Sequence, residues 1–282
     1  MSAPLLNAPA IQYVRIPDGT RIAYRELGDG PALLLVHGWP TSSFLWRHVM
    51  PTFAERHRVI AVDLPGFGAS DKPAEARYDF NYFERAIDSF LVAVGVDRVA
   101  VVGHDLGGPI AMHWALARLE RVTRIGLLNT LLYPEFSSAV TEFVTELMTP
   151  AGAERLTSPG GLAEIMRFGV SDPNVITDEI AAAVAAPFRS DEERSTLARA
   201  GYGLGLRGFA EIAAGLGSIA CPVAVAYGAA DQILPDVADT FERLQRDVPH
   251  AQITKLPGVG HFVTEEAPDA VSAALASFVA AS

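Results

Sequence analysis

The chain has 282 residues, half of them apolar, enough for one large core or two small ones without covalent staples. Asp and Glu number 33 against 22 Lys and Arg, and a net charge of −11 argues against nucleic acid and anionic membrane surfaces as partners. The single cysteine, Cys221, allows no intrachain disulfide and no cysteine-based metal site, and beside Pro222 it reads as a buried small hydrophobe. The start Met1-Ser2-Ala3-Pro4 lacks the basic and apolar blocks of a leader, and no apolar stretch reaches transmembrane length, so a cytoplasmic protein is expected.

Residues 11–16 and 21–27 read as a hairpin around Pro17-Asp18-Gly19-Thr20, because Asp-Gly between β-type runs sets a tight turn. Residues 33–36 are a continuous apolar run, as in a strand buried on both faces, and they end in His37-Gly38-Trp39-Pro40. Residues 43–53 carry helical spacing, with Phe44, Trp46 and Met50 among the apolar positions. A second buried strand at 59–62 ends in the turn-rich Asp63-Leu64-Pro65-Gly66-Phe67-Gly68. A helix follows at 80–94, then a strand at 99–102, an apolar helix through 119, and a strand at 124–128. Strands at 223–227 and 252–256 are each followed by a helix, at 237–246 and 267–279. This alternation predicts an α/β fold, a mostly parallel sheet with helices on both faces and the hairpin at one edge. Residues 131–217 break the alternation with helical patches at 138–148, 161–168, 178–186 and 191–200 and no strand. They read as a helical cap inserted after the sixth strand, over the strand ends where α/β folds place ligands. The core is then 1–130 with 218–282, and the cap 131–217.

The stretch Gly103-His104-Asp105-Leu106-Gly107 joins a strand to a helix. Read alone, it is either a turn with an Asp cap or a nucleophile elbow with Asp105 at the apex. Gly103 and Gly107 fit the elbow, since a Cβ on either would meet neighbouring backbone. The helix start beyond favours a carboxylate over the acid. A nucleophile needs a base and a group to orient it. Asp231, after the strand at 223–227, and His261, after the strand at 252–256, complete the order nucleophile, acid, histidine. All three follow strands at one edge of the sheet, so one cavity can hold them. His113 reads as packed in its helix, and His48, His57 and His250 as exposed. No histidine spacing suggests a metal. Gly203-Leu204-Gly205-Leu206-Arg207-Gly208 matches a dinucleotide fingerprint in letters only, because no strand precedes it. It reads as a flexible cap segment, and no cofactor is expected.

These residues resemble the α/β-hydrolase fold family, and within it the branch with an aspartate nucleophile: the epoxide hydrolases and haloalkane dehalogenases. The resemblance rests on His37-Gly38-Trp39-Pro40, the Gly103–Gly108 window, Asp231 and His261, with 41–47 and 63–68 also fitting. It implies an eight-stranded sheet with a helical cap. It also implies a catalytic cycle in which Asp105 attacks an electrophilic sp3 carbon and is left as an ester. His261 then activates water against that ester, and Asp231 holds the imidazole. A serine in the same place would leave an inert ether. The backbone N–H groups of Trp39 and Leu106 are the expected oxyanion donors.

The resemblance also separates the two activities by leaving group. Epoxide hydrolases typically present two cap tyrosines to the epoxide oxygen. Tyr202, 29 positions before Asp231, falls near the place of the second. Tyr133, the other tyrosine of the insertion, lies earlier than the usual first and is equally a structural aromatic at the hinge. Dehalogenases clamp the halide with indoles, one of them usually next to the nucleophile. Here Leu106 holds that place and only the Trp39 indole could serve. Ala185-Ala186-Pro187-Phe188 resembles dehalogenase caps and keeps the halide alternative open. Apolar insertion residues Phe136, Phe143, Met148, Phe168 and Phe209, with His37 and Trp39 from the core, are the expected pocket for a small apolar organic substrate. A ligand-binding protein without turnover is the third reading, disfavoured by the complete Asp–His–Asp set.

Overall fold

The computed structural model describes residues 7–280; the Met1–Pro4 start lies outside the described residues. Eight strands form one sheet: β1 (Ile11–Arg15), β2 (Arg21–Leu27), β3 (Ala32–Val36), β4 (Arg58–Val62), β5 (Val99–His104), β6 (Val122–Leu128), β7 (Val223–Gly228) and β8 (Gln252–Leu256). Their order is β1-β2-β4-β3-β5-β6-β7-β8. The β1/β2 hairpin and β2 on β4 are antiparallel, and every other pairing is parallel. β5 and β7 are buried along their whole length, which is why they read as unbroken apolar runs rather than alternating ones.

The helices are α1 (Met50–Ala54), α2 (Phe80–Ala93), α3 (Gly107–Leu116), α4 (Ser138–Leu147), α5 (Pro150–Thr157), α6 (Pro159–Phe168), α7 (Asp178–Ala185), α8 (Asp191–Tyr202), α9 (Leu206–Gly215), α10 (Val237–Asp247), α11 (Val263–Glu266) and α12 (Pro268–Ala280). Alternate strand residues build two cores. Leu34, Val36, Val101 and Val225 pack with α2, α3 and α10, while Leu33, Leu35, Val102 and Ala226 pack with α1 and α12. No helix among the described residues is long and apolar enough to cross a membrane.

The parallel register decides where the loops emerge. Val36 pairs with Gly103, His104 with Leu128, Leu128 with Ala226, and Gly228 with Leu256. The carboxyl ends of β3, β5, β6, β7 and β8 therefore lie along one edge. Helices α4 to α9 form the excursion between β6 and β7, so the insertion leaves the sheet at that edge and, because the two strands are parallel, returns to the opposite edge where β7 begins.

Several elements differ from the sequence reading. The helix expected over 43–53 is a short 3-10 turn, Ser43–Trp46, and a separate α1 with Pro51 in its first turn. α5 was hidden because Pro150 and Gly152 dilute its helical pattern; it starts where Thr149 accepts the N–H of Gly152. α9 was hidden because the Gly203–Gly208 stretch does not behave as a flexible segment. Gly203 ends α8, Gly205 opens α9, and Gly208 sits inside α9 with its α-carbon against the Phe80 ring. His57 is 7% exposed, because the turn before β4 folds it inward.

A buried ion pair ties the segment after β3 to the segment after β8. Arg47 donates twice to Glu265, at 2.6 Å each, and its guanidinium lies 4.0 Å from the centre of the Phe44 ring. Their side chains are 0% and 2% exposed. Removing one partner leaves the other charge buried, so Glu265→Ala is expected to lower unfolding free energy by about 3–5 kcal/mol. Urea denaturation followed by circular dichroism measures it.

Candidate active site

Asp105 stands between β5 and α3 in the left-handed backbone region, with φ +50°. Aspartate tolerates that region better than bulky residues, and the surroundings are shaped to hold it. A Cβ on Gly103 would come within 2.5 Å of the Gly107 carbonyl oxygen, and one on Gly107 within 2.2 Å of the Val36 oxygen. The Asp105 N–H donates to the Leu128 and Asn129 carbonyls, and its own carbonyl accepts from Thr130 Oγ1 at 2.6 Å. The side chain is thereby aimed away from the sheet. Its Oδ2 accepts the backbone N–H of Trp39 at 2.8 Å, and the Leu106 N–H also bonds the carboxylate. Gly38 makes that approach possible, since its Cβ would lie 2.4 Å from Asp105 Oδ2.

Facing it is His261, whose Nε2 is 3.8 Å from Asp105 Oδ1, too far for a hydrogen bond, and has no hydrogen-bond partner. Its Nδ1–H donates to Asp231 Oδ2 at 2.8 Å, which fixes the tautomer with Nε2 as the free base. Asp231 is held on both oxygens. Oδ1 accepts the N–H groups of Ile233 and Leu234, and Oδ2 also accepts Asn129 Nδ2 at 2.7 Å. The Asn129 Oδ1 accepts the Gly228 N–H, which fixes which end of the amide faces Asp231. Asn129 and Thr130 are absent from the sequence reading. The signal was present, since polar residues directly follow a buried strand at the same edge as Asp105, Asp231 and His261.

The charges bias one another. Burial pulls the His261 pKa down, but the charge and hydrogen bond of Asp231, aided by Asp105, outweigh it and leave it raised above 6.5. Burial pushes Asp231 up, yet His261, the Leu234 N–H and Asn129 hold it below the usual carboxylate range. Burial raises Asp105, against the opposing pull of His261 and the N–H groups of Leu106 and Trp39. His104, fully buried behind them, is lowered to about 3 by burial and by His261. It is thus neutral, and its Nε2–H donates to the His261 carbonyl at 3.0 Å. In Asp231→Asn the main influence raising His261 is gone and burial prevails. The histidine titration followed by NMR is expected above pH 6.5 in the native chain and below it in the variant.

A cavity of about 380 Å³ opens over Asp105. Trp39, Leu106, Phe136, Phe143, Tyr202 and Phe209 line it, as does Phe168, 52% exposed. Three expected positions fall elsewhere. Tyr133 donates to Asp247 at 2.7 Å under the Arg243 guanidinium, so its hydroxyl is committed outside the cavity. His37 is fully buried and accepts the Leu64 N–H on Nε2, joining the loops after β3 and β4. Met148 is 63% exposed and does not line the cavity. The Trp39 indole, the one candidate halide donor, donates to the Leu197 carbonyl at 3.1 Å. Polar groups in the lining include Glu142, Glu146, Arg155 and Gln232.

The family model for the alpha/beta hydrolase fold matches residues 31–155. Haloalkane dehalogenase 2 of Mycobacterium tuberculosis is 32% identical over 279 residues, covering 90% of both chains. A soluble epoxide hydrolase from a Corynebacterium species is 30% identical over 272 residues, covering 90% of this chain and 92% of its own. The haloalkane dehalogenase DbeA from Bradyrhizobium elkani shares the fold with a TM-score of 0.85 at 24% identity, over 96% of this chain and 97% of its own. Sheet, elbow and full-length relatives agree: the chain belongs to the α/β-hydrolase fold family.

Proposed function

We propose that this protein is an epoxide hydrolase that converts an apolar epoxide to a vicinal diol through an ester on Asp105, with residues 131–217 as the cap. The observation that carries this reading is the donor set of the cavity. Tyr202 lines the cavity with Asp105 and its hydroxyl makes no hydrogen bond among the described residues, whereas the Trp39 indole is committed to Leu197 and Leu106 follows the nucleophile.

Asp105 Oδ1 attacks an epoxide carbon, the C–O bond of the ring breaks, and Tyr202 gives its proton to the departing oxygen. Oδ2 becomes the ester carbonyl and stays on the Trp39 N–H, with the Leu106 N–H beside the same carboxyl group. His261 Nε2 then takes a proton from a water, whose oxygen attacks the ester carbon. The negative charge collects on Oδ2, where the Trp39 N–H already points. Collapse breaks the Asp105 Cγ–Oδ1 bond, His261 gives its proton to the departing alkoxide oxygen, the second water proton passes from the new carboxyl to the Tyr202 phenolate, and the diol leaves the Asp105 carboxylate. Alkylation removes the charge on Asp105 and with it one influence that raises the His261 pKa. The base is therefore readied by the first step.

The second reading is a haloalkane dehalogenase with the same nucleophile. The full-length likeness to Haloalkane dehalogenase 2 favours it, and the Gln232 amide at the cavity is a remaining N–H donor. The two part on their leaving groups. With a styrene-type epoxide, His261→Gln is expected to accumulate a covalent adduct on Asp105, read by peptide mass spectrometry, and Asp105→Asn to give none. Tyr202→Phe is expected to slow epoxide opening by roughly 10²–10³-fold while sparing hydrolysis of a preformed ester. Halide release from haloalkanes that survives Tyr202→Phe, with epoxides inert, would establish the second reading instead.

A further inference from the structure

The helical insertion and the His261 loop are joined at one point by a carboxylate outside the site described so far. Glu266, the last residue of α11, accepts the Gly260 N–H on Oε2 at 2.6 Å and the Ser171 N–H on Oε1 at 2.7 Å. Gly260 directly precedes His261, and Ser171 lies in the insertion just after α6. Beside this bridge the Gly169 carbonyl accepts the backbone N–H of His261 at 2.6 Å and that of Phe262 at 3.3 Å. The contact is close because both strands of backbone are bare. A Cβ on Gly169 would meet the Phe262 ring at 2.5 Å, and one on Gly260 would meet the Gly169 oxygen at 2.6 Å. The backbone N–H of the candidate base is thus bonded to the insertion, and its carbonyl to His104 of the elbow. One residue before Gly169 stands Phe168, which lines the cavity.

We propose that Glu266 is a positioning residue: by bridging Gly260 and Ser171 it couples the seating of the insertion over the cavity to the orientation of His261. When 169–171 is seated, the Gly169 carbonyl holds the His261 peptide from the insertion side, and Glu266 grips Gly260 with one oxygen and Ser171 with the other. When it lifts, the His261 N–H loses the Gly169 carbonyl and Glu266 loses its Ser171 partner, so Gly260 is held by a carboxylate no longer pinned on its other oxygen, although Asp231 still holds Nδ1 and His104 the His261 carbonyl. Water attack on the ester, which needs the base, then proceeds only under a seated insertion. Attack by Asp105 does not need the base and is insensitive to the bridge. The kinetic part rests on the two-step reading above.

Glu266→Gln tests it, because an amide offers one acceptor where the carboxylate offers two. Amide exchange by NMR is expected to quicken roughly tenfold at 169–171 and 260–262 together, with the sheet unchanged. In single turnovers with an epoxide, ester hydrolysis is expected to slow roughly tenfold while Asp105 alkylation stays within about twofold, so the adduct accumulates. Exchange that quickens at only one of the segments overturns the coupling, as does unchanged hydrolysis, or alkylation and hydrolysis falling together with the melting temperature. Ser171→Pro removes only the insertion's donor and leaves Glu266 intact. It is expected to reproduce the hydrolysis defect if Glu266→Gln does not fold, and an unaltered rate there counts against the proposal. If Asp105 is never labelled, even in His261→Gln, the reading of the reaction fails, and the exchange measurement decides the bridge on its own.

Discussion

The left-handed backbone at Asp105 is the constraint on which the rest of the structure depends. A φ of +50° on a residue with a Cβ costs roughly 1–2 kcal/mol, and it persists only because the neighbours allow no other path. Gly103 and Gly107 let β5 and α3 close on each other and on the end of β3, while Thr130 and the carbonyls of Leu128 and Asn129 bind the apex peptide. The return on this strain is direction. The carboxylate leaves the sheet edge, meets the Trp39 N–H on one oxygen, and turns the other toward His261.

Around that apex the polar groups are arranged so that each has one role. Asn129 is the clearest case, because its oxygen is claimed by the Gly228 N–H and only its N–H groups remain for Asp231. Asp231 in turn has four donors on two oxygens, so it neither rotates nor protonates easily. His104 is kept neutral by burial and can therefore act as a donor without adding a positive charge behind His261. Such a network is worth more than its separate bonds because a buried donor or acceptor without a partner is costly.

The insertion contributes more than a wall. Trp39 uses both of its N–H groups, the backbone one on Asp105 and the indole on α8, so the same residue holds the Asp105 carboxylate and anchors the helix above it. Gly201 of α8 lies against that indole, where a Cβ would come within 2.9 Å of Nε1. On the other side the Gly169 carbonyl meets the His261 peptide. Covering the cavity and holding the reactive groups are therefore linked through backbone hydrogen bonds at two places.

Much of this was legible in the sequence because it is written in local pattern. Unbroken apolar runs gave the buried strands, Asp18-Gly19 the edge hairpin, and the bare Gly103–Gly108 window the elbow. The common position of Asp105, Asp231 and His261 after strands gave their meeting at one edge, since parallel strands must end together. What the sequence left undecided is what depends on partners distant along the chain. No local feature says that the Trp39 indole bonds Leu197, that Tyr133 turns to Asp247 while Tyr202 stays in the cavity, or that His37 is spent on Leu64. Nor could it find Asn129, whose importance lies only in which oxygen it faces, or α9, whose glycines look like a loop until Gly208 meets Phe80. Backbone periodicity is a property of neighbouring residues and survives in one dimension; the commitment of a donor to one acceptor is a property of three-dimensional approach, and only the folded chain decides it.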